Sequence, residues 1–186
     1  RGHHAGYYPG AKNMVLKVIF DENGKIFGAQ AVGEAGVDKR IDVIATAIKG
    51  NLTVYDLPEI EITYAPPFNS AKDPVNIAGY AAENILKGDL EMVNYDEFWD
   101  FVKENDAVIL DVRTSKEFSG GAIEGAININ VDDLRENLEK LDKNKSYAIY
   151  CQVGLRGYLA NRIMRNNGFR AVNLNGGYNL WAKVNS

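Results

Sequence analysis

The spacing of apolar positions along this chain changes near residue 90. Before it, Met14 to Phe20 and Lys25 to Val32 are two apolar-rich runs around Asp21-Glu22-Asn23-Gly24. Asn-Gly between β-prone runs predicts a hairpin, because both residues tolerate positive φ. Ile41, Ile44, Ala45 and Ile48 then follow the i, i+3, i+4, i+7 spacing of a helix, with Gly50 as its stop. A second helix is predicted from Asp73 as N-cap and Pro74 in the first turn. Val75, Ile77, Ala78, Ala81, Ala82, Ile85 and Leu86 give it a wide apolar face, and Gly88 ends it. Tyr64-Ala65-Pro66-Pro67-Phe68-Asn69 lies between them as irregular chain, since two prolines fix φ and remove donors.

After residue 90 short apolar runs alternate with helical segments. Val108 to Val112, Ala126 to Ile129, Tyr147 to Tyr150 and Ala171 to Leu174 read as strands. Segments near 95–104, 132–140, 156–167 and 178–184 read as helices. Such alternation predicts an α/β fold, a parallel sheet with helices on both faces. The domain boundary is placed between Lys87 and Val93, giving domains 1–90 and 91–186. The first piece offers only a hairpin, two helices and a proline-rich loop, a small core for an independent unit. Nothing before Met14 reads as the beginning of a domain, so the chain is expected to be a fragment with a truncated α+β first half. Ile41, Ile44 and Ile48, or the Tyr64 loop, are expected to expose apolar surface and drive self-association into a homodimer.

Composition narrows the function. Apolar residues make up 46% and charged residues 25%, an ordinary globular balance. No apolar run approaches the roughly 20 residues of a membrane span, and no signal peptide opens the sequence. The net charge of −4 is interspersed, which argues against a nucleic-acid partner and its basic stripe. A single cysteine allows no internal disulfide and fits a reducing compartment, so a cytoplasmic location is expected, with no metal site.

That cysteine carries the chemistry. Tyr147-Ala148-Ile149-Tyr150 runs straight into Cys151-Gln152-Val153-Gly154-Leu155-Arg156-Gly157, and a helix follows with Leu159, Ala160, Ile163 and Met164 on one face. Cys151 therefore sits at the carboxyl end of a parallel strand, where open α/β sheets place ligand sites. The loop ends at a helix N-terminus, whose unpaired N–H groups and dipole favour an anion. Gly154 frees the backbone to curl, and Arg156 adds a fixed positive charge. Together these features favour a thiolate that is reachable from solvent. The competing reading is an inert cysteine at a strand end.

The loop resembles the rhodanese active-site loop, C-x-x-G-x-R. Leu110-Asp111-Val112-Arg113 with Glu117-Phe118, Gly121-Ala122-Ile123-Glu124-Gly125-Ala126-Ile127-Asn128-Ile129, and Leu174-Asn175-Gly176-Gly177-Tyr178-Asn179-Leu180-Trp181 resemble further segments of that family in family order. Ala122 stands where the family usually has His. The resemblance covers about residues 91–186. It implies a sulfurtransferase in which Cys151 accepts sulfur as a persulfide and the amides from Gln152 through Val153, Gly154 and Leu155 to Gly157 form its cradle. Arg156 would orient anionic donors, with Asp111 and Arg113 bracing the loop. A Cys–Arg loop phosphatase is the competitor, but its C-x5-R loop is one residue longer, and no aspartate general acid is identifiable.

The first half resembles the dimerisation domain of FAD-dependent pyridine nucleotide–disulfide oxidoreductases, above all the coenzyme A-disulfide reductase group with its rhodanese-fused, NADH-dependent persulfide or polysulfide reductases. His4-Ala5-Gly6-Tyr7-Tyr8-Pro9-Gly10-Ala11, Ala31-Val32-Gly33, Asp38-Lys39-Arg40-Ile41-Asp42, Leu52-Thr53-Val54, Tyr64-Ala65-Pro66-Pro67-Phe68 and Lys72-Asp73-Pro74 carry it. The resemblance implies that Tyr7 or Tyr8, and Tyr64, reach a coenzyme A site of the partner subunit. It also implies FAD, NADH and coenzyme A as cofactors of the parent protein, none of them held by this fragment. No G-x-G-x-x-G follows a strand, and no cysteine remains for a flavin-linked redox centre. Thiosulfate, persulfides, polysulfide or a coenzyme A persulfide are the implied sulfur partners. A non-catalytic dimerisation or coenzyme A-binding module is the alternative function.

Overall fold

The computed structural model describes residues 1–185, which fall into two units, Arg1–Lys87 and the chain from Gly88 onward. In the first, strands β1 (Met14–Phe20) and β2 (Ile26–Gly33) form the expected antiparallel hairpin. Asp21 shapes its turn by accepting the N–H groups of Asn23 and Lys25, both at 2.9 Å, and Gly24 takes φ 81. Helices α1 (Val37–Lys49) and α2 (Pro74–Leu86) lie where the periodicity puts them. Asp73 caps α2 by accepting the Val75 N–H at 2.9 Å, while the Asn76 amide oxygen accepts the Asp73 N–H to complete a capping box. Ile26, Ile44, Ala47, Val54, Leu57, Val75 and Ala82 make one buried cluster.

One expectation for this unit is corrected. Ile44 is 1% exposed and Ile48 packs against the same cluster, so this stripe of α1 is core rather than free surface. A helix with one apolar stripe has a single face to bury, and the hairpin already covers it. The exposed apolar residues stand instead on the outer side of the hairpin, where Val15 is paired with Val32 and Ile19 and Phe27 lie beyond, and on the loops carrying Tyr7, Tyr64 and Phe68.

A charge is buried beneath this layer. Arg40 of α1 donates to Asp73 through Nε at 3.0 Å and Nη2 at 2.7 Å, and both residues are 1% exposed. The same guanidinium reaches the carbonyl oxygens of His3 (2.7 Å) and Gly36 (3.1 Å) and Oδ1 of Asn69 (3.0 Å). One side chain thereby ties the N-terminal segment, the loop before α1 and the cap of α2.

The second unit is the predicted α/β layer structure. Strands β3 (Met92–Val93), β4 (Val108–Asp111), β5 (Ile127–Asn128), β6 (Ser146–Tyr150) and β7 (Arg170–Leu174) form a parallel sheet in the order β3-β7-β6-β4-β5. Helices α3 (Phe98–Glu104), α4 (Ser115–Ser119), α5 (Leu134–Asn137), α6 (Leu155–Asn166) and α7 (Gly177–Val184) connect and cover it. Alternation along β6 sends Tyr147, Ile149 and Cys151 into a cluster with Leu134, Ala160 and Met164 from α5 and α6. Ala148 and Tyr150 join Phe98 of α3 and Trp181 of α7 on the other face. The helix expected near 132–140 is shorter, since Leu138–Lys140 tightens into a 3-10 turn that brings Leu141 back against the core. Three elements escaped the pattern because they are too short to show a period: the 3-10 turn Leu57–Glu59, the two-residue β3 and the five-residue α4. Among the described residues no helix is long and apolar enough to cross a membrane.

Candidate functional site

The cysteine loop begins at the carboxyl end of β6, the middle strand of the five, and ends at the first turn of α6. Gly154 adopts φ 131, a region costly to any residue with a Cβ, and this turns its N–H back onto Sγ of Cys151 at 3.1 Å. Gly154 also accepts the Tyr158 N–H at 2.8 Å, which starts the helix. The first-turn N–H groups of Leu155, Arg156 and Gly157, which a helix cannot pair internally, follow directly. Gly157 has a packing reason besides, since a Cβ there would stand 2.1 Å from Oδ1 of the buried Asn173.

Cys151 itself is 1% exposed, which corrects the expectation of a sulfur open to solvent. The strand alternation that buries Tyr147 and Ile149 carries on to residue 151 and turns it toward α6. Val153 and Leu155 project from the loop instead, 62% and 57% exposed.

Two ion pairs flank the loop. Asp111, at the end of β4, is fully buried and receives Nη2 of Arg113 at 2.7 Å, Nε at 3.0 Å and the Arg113 N–H at 2.8 Å. Arg113 also donates to the carbonyl of Gly121 (2.7 Å) and to Oε1 of Gln152 (3.0 Å), so it reaches from β4 into the cysteine loop. Its guanidinium lies 4.2 Å from the centre of the Tyr178 ring. Desolvation opposes its charge, but hydrogen bonding to Asp111 prevails and raises its pKa. Burial likewise pushes the Tyr150 phenol up, and that hydroxyl accepts the Ile123 N–H at 3.2 Å.

The second pair was not foreseen. Arg156, expected to stand ready for anionic donors, gives Nη1 and Nη2 to Glu117 at 2.7 and 2.6 Å. Glu117 is held in place by Thr114, whose N–H and hydroxyl donate to it at 3.0 and 2.8 Å in the capping box of α4. Arg156 first, and Thr114 with it, hold the Glu117 carboxyl down to about 2, so the pair stays ionised across the working pH range. Its partner in turn raises Arg156. Thr114-x-x-Glu117 is legible as a capping box in the sequence; its pairing across 39 residues is not.

The outer side of the loop is fastened by α7. The N–H groups of Tyr178 and Asn179 donate to the carbonyls of Cys151 (2.8 Å) and Gln152 (3.1 Å), and the side chains of Gln152 and Asn179 hydrogen-bond each other. Across their trans peptide planes these two carbonyls turn the N–H groups of Gln152 and Val153 away from α7. This close approach requires Gly177, at φ 62, because a Cβ would lie 2.6 Å from the Cys151 carbonyl oxygen.

In the first unit, the hydroxyls of Tyr7 and Tyr64 meet at 3.3 Å on the surface, which raises the Tyr7 phenol. Tyr8 stands apart, its ring edge-on to His4 at 5.8 Å. The turn after β7 is filled by Leu180, 2.5 Å from where a Gly176 Cβ would be, and the turn after β4 by Arg113. No group of three metal-ligating side chains occurs among the described residues.

Comparison with known proteins accords with this geometry. Residues 94–184 match the rhodanese-like domain family, and residues 2–74 match the pyridine nucleotide-disulphide oxidoreductase dimerisation domain. The coenzyme A disulfide reductase of Staphylococcus haemolyticus is 51% identical over 85 residues, 45% of this chain and 19% of that protein. The crystal structure of reduced Bacillus anthracis CoADR-RHD superposes with a TM-score of 0.95 at 50% identity, covering 99% of this chain and 33% of that one. The NAD-dependent persulfide reductase of A. fulgidus gives 0.86 at 37% identity, covering 97% and 32%. The chain thus spans about a fifth of the curated relative and a third of the two solved ones. Its first half is a pyridine nucleotide-disulphide oxidoreductase dimerisation domain and its second a rhodanese-like domain, related to the coenzyme A disulfide and persulfide reductases.

Proposed function

We propose that the second unit is a sulfurtransferase in which Cys151 carries sulfane sulfur as a persulfide. The observation that carries this reading is the N–H of Gly154 aimed at Sγ from 3.1 Å within a loop that opens onto a helix N-terminus. The Cys151 thiolate attacks the outer sulfur of a donor, forming a new S–S bond as the donor's own S–S bond breaks. Thiosulfate then leaves as sulfite with the bonding electron pair, and a persulfide leaves as its thiolate. Cyanide or a second thiolate then takes the outer sulfur, as thiocyanate or a new persulfide, while the S–S bond breaks and Cys151 leaves as its thiolate. The buried Arg113–Asp111 pair holds Gln152, and α7 holds the two carbonyls, so the N–H cradle is fixed before a donor arrives. Cys151 is buried, and the loop presents Val153 and Leu155 to an approaching donor.

Incubation with thiosulfate or glutathione persulfide should add about 32 Da to the protein, one sulfur on one cysteine. Cys151→Ser should show no addition. A wild-type mass unmoved by every donor would end this reading. Gly177→Ala is expected to slow the same loading on the order of a hundredfold, because the clash shifts the loop by close to an ångström. Loading at the wild-type rate would remove α7 from the account.

Within the parent protein we infer that this chain supplies the dimerisation surface and the sulfur-handling arm of an FAD- and NADH-dependent disulfide or persulfide reductase. A coenzyme A-binding role for the first unit has the Tyr7–Tyr64 pair in its favour. Against independent binding, the groove of about 650 Å³ beside Tyr64 carries Glu59, Glu61 and Glu83 against Lys72, the wrong balance for a polyphosphate.

A further inference from the structure

We propose that Glu117 is a specificity-determining residue: by occupying both Nη atoms of Arg156, it leaves the cysteine loop without an uncompensated cation and turns it from small dianions such as thiosulfate toward persulfides on organic thiols. The inference rests on the persulfide reading of Cys151 and concerns which donor loads it.

Both guanidinium groups that border the loop are matched. Arg113 meets Asp111 at 2.7 Å with both side chains buried, and Arg156 meets Glu117 at 2.6 Å with each side chain 31% exposed. These two pairs therefore bring no net charge to the loop. Beside these pairs the loop offers a donor the Gly154 N–H at the sulfur and the exposed apolar side chains of Val153 and Leu155.

An ion entering such a site loses hydration without gaining a counter-charge, and the cost rises steeply with its charge. Thiosulfate brings two negative charges concentrated on five atoms. A persulfide brings at most one to the transferred sulfur, on a chain that the apolar loop tips can cover. Glu117 cannot readily swing aside, since Thr114 fixes it with two hydrogen bonds at the head of α4. It is also too acidic to be neutralised near neutral pH.

The test compares kcat/KM for thiosulfate and for glutathione persulfide in the wild-type chain, in E117Q and in E117Q/R156M. A Gln amide keeps one oxygen for Thr114 and for Nη1 of Arg156 but turns an N–H2 toward Nη2, which leaves that cation without a counter-charge. The thiosulfate-to-persulfide ratio should rise about tenfold in E117Q and fall back in the double variant. E117Q should also become inhibited by sulfate, a response that loss of a mere structural contact would not produce. A ratio within about twofold of wild type in E117Q, or a gain that survives removal of Arg156, overturns the proposal.

Should E117Q not fold, wild-type kinetics decide alone. With no free cation, thiosulfate turnover should change less than about twofold between roughly 0.05 and 0.5 M salt, whereas a steep fall would show an exposed charge at work. Failure of the underlying reading looks different, because then Cys151 gains no sulfur from either donor.

Discussion

Replacing Arg113 by Met is expected to destabilise the rhodanese-like unit by about 3–5 kcal/mol. The side chain is 2% exposed and its removal strands Asp111, which is fully buried and accepts three of its N–H groups. The main-chain N–H of residue 113 survives the change; the charge compensation does not. Gly121 and Gln152 lose their donor too, so the loss reaches the cysteine loop. For a unit of about a hundred residues each kcal/mol moves the melting point by about 4–8 °C, so the fall should exceed about 12 °C. Trp99 and Trp181 are the only tryptophans and both lie in this unit, Trp181 stacked on the Tyr178 ring that faces Arg113. Tryptophan fluorescence therefore reads this transition directly. A shift below about 1 kcal/mol would mean that Asp111 finds other partners.

Asp73→Ala is the matching experiment in the first unit, with an expected cost of about 3–5 kcal/mol. It leaves Arg40 buried without its counter-charge and removes the side-chain cap from α2, worth about 1 kcal/mol by itself. Asp73→Asn keeps an oxygen for the Val75 N–H but removes the charge and turns an N–H2 toward Arg40, so it retains the cap while losing the ion pair. Since the first unit holds no tryptophan, its unfolding is read by amide exchange in α1 and α2, while the fluorescence transition of the second unit should stay in place. Equal protection of α1 and α2 in wild type and D73A would rule out the ion pair as the tie between those elements.

These two ion pairs show how far apolar and polar patterning reaches. The hairpin around Asn23-Gly24, the capped helix at Asp73-Pro74 and the strand–helix alternation after residue 90 were legible because each rests on local chemistry: a turn residue, a cap, a period. The cysteine loop was legible for the same reason, as strand, glycine, cation and helix start lie within a dozen residues. Arg40 gave no such signal. It sits on α1 among charged neighbours, and nothing local announces that its partner lies 33 residues away and equally buried.

The amino-acid sequence by itself determined the fold class, the longer elements and the cysteine as the site of interest, because periodicity and turn chemistry act between near neighbours. Only the tertiary structure decided what surrounds the sulfur. Packing of α4 against the loop gives Arg156 to Glu117, closure of α7 takes up the carbonyls of Cys151 and Gln152, and the alternation of β6 draws the sulfur inward. Those contacts join residues 27 to 39 positions apart. Their strength depends on burial and direction, quantities that exist only once the chain has closed on itself.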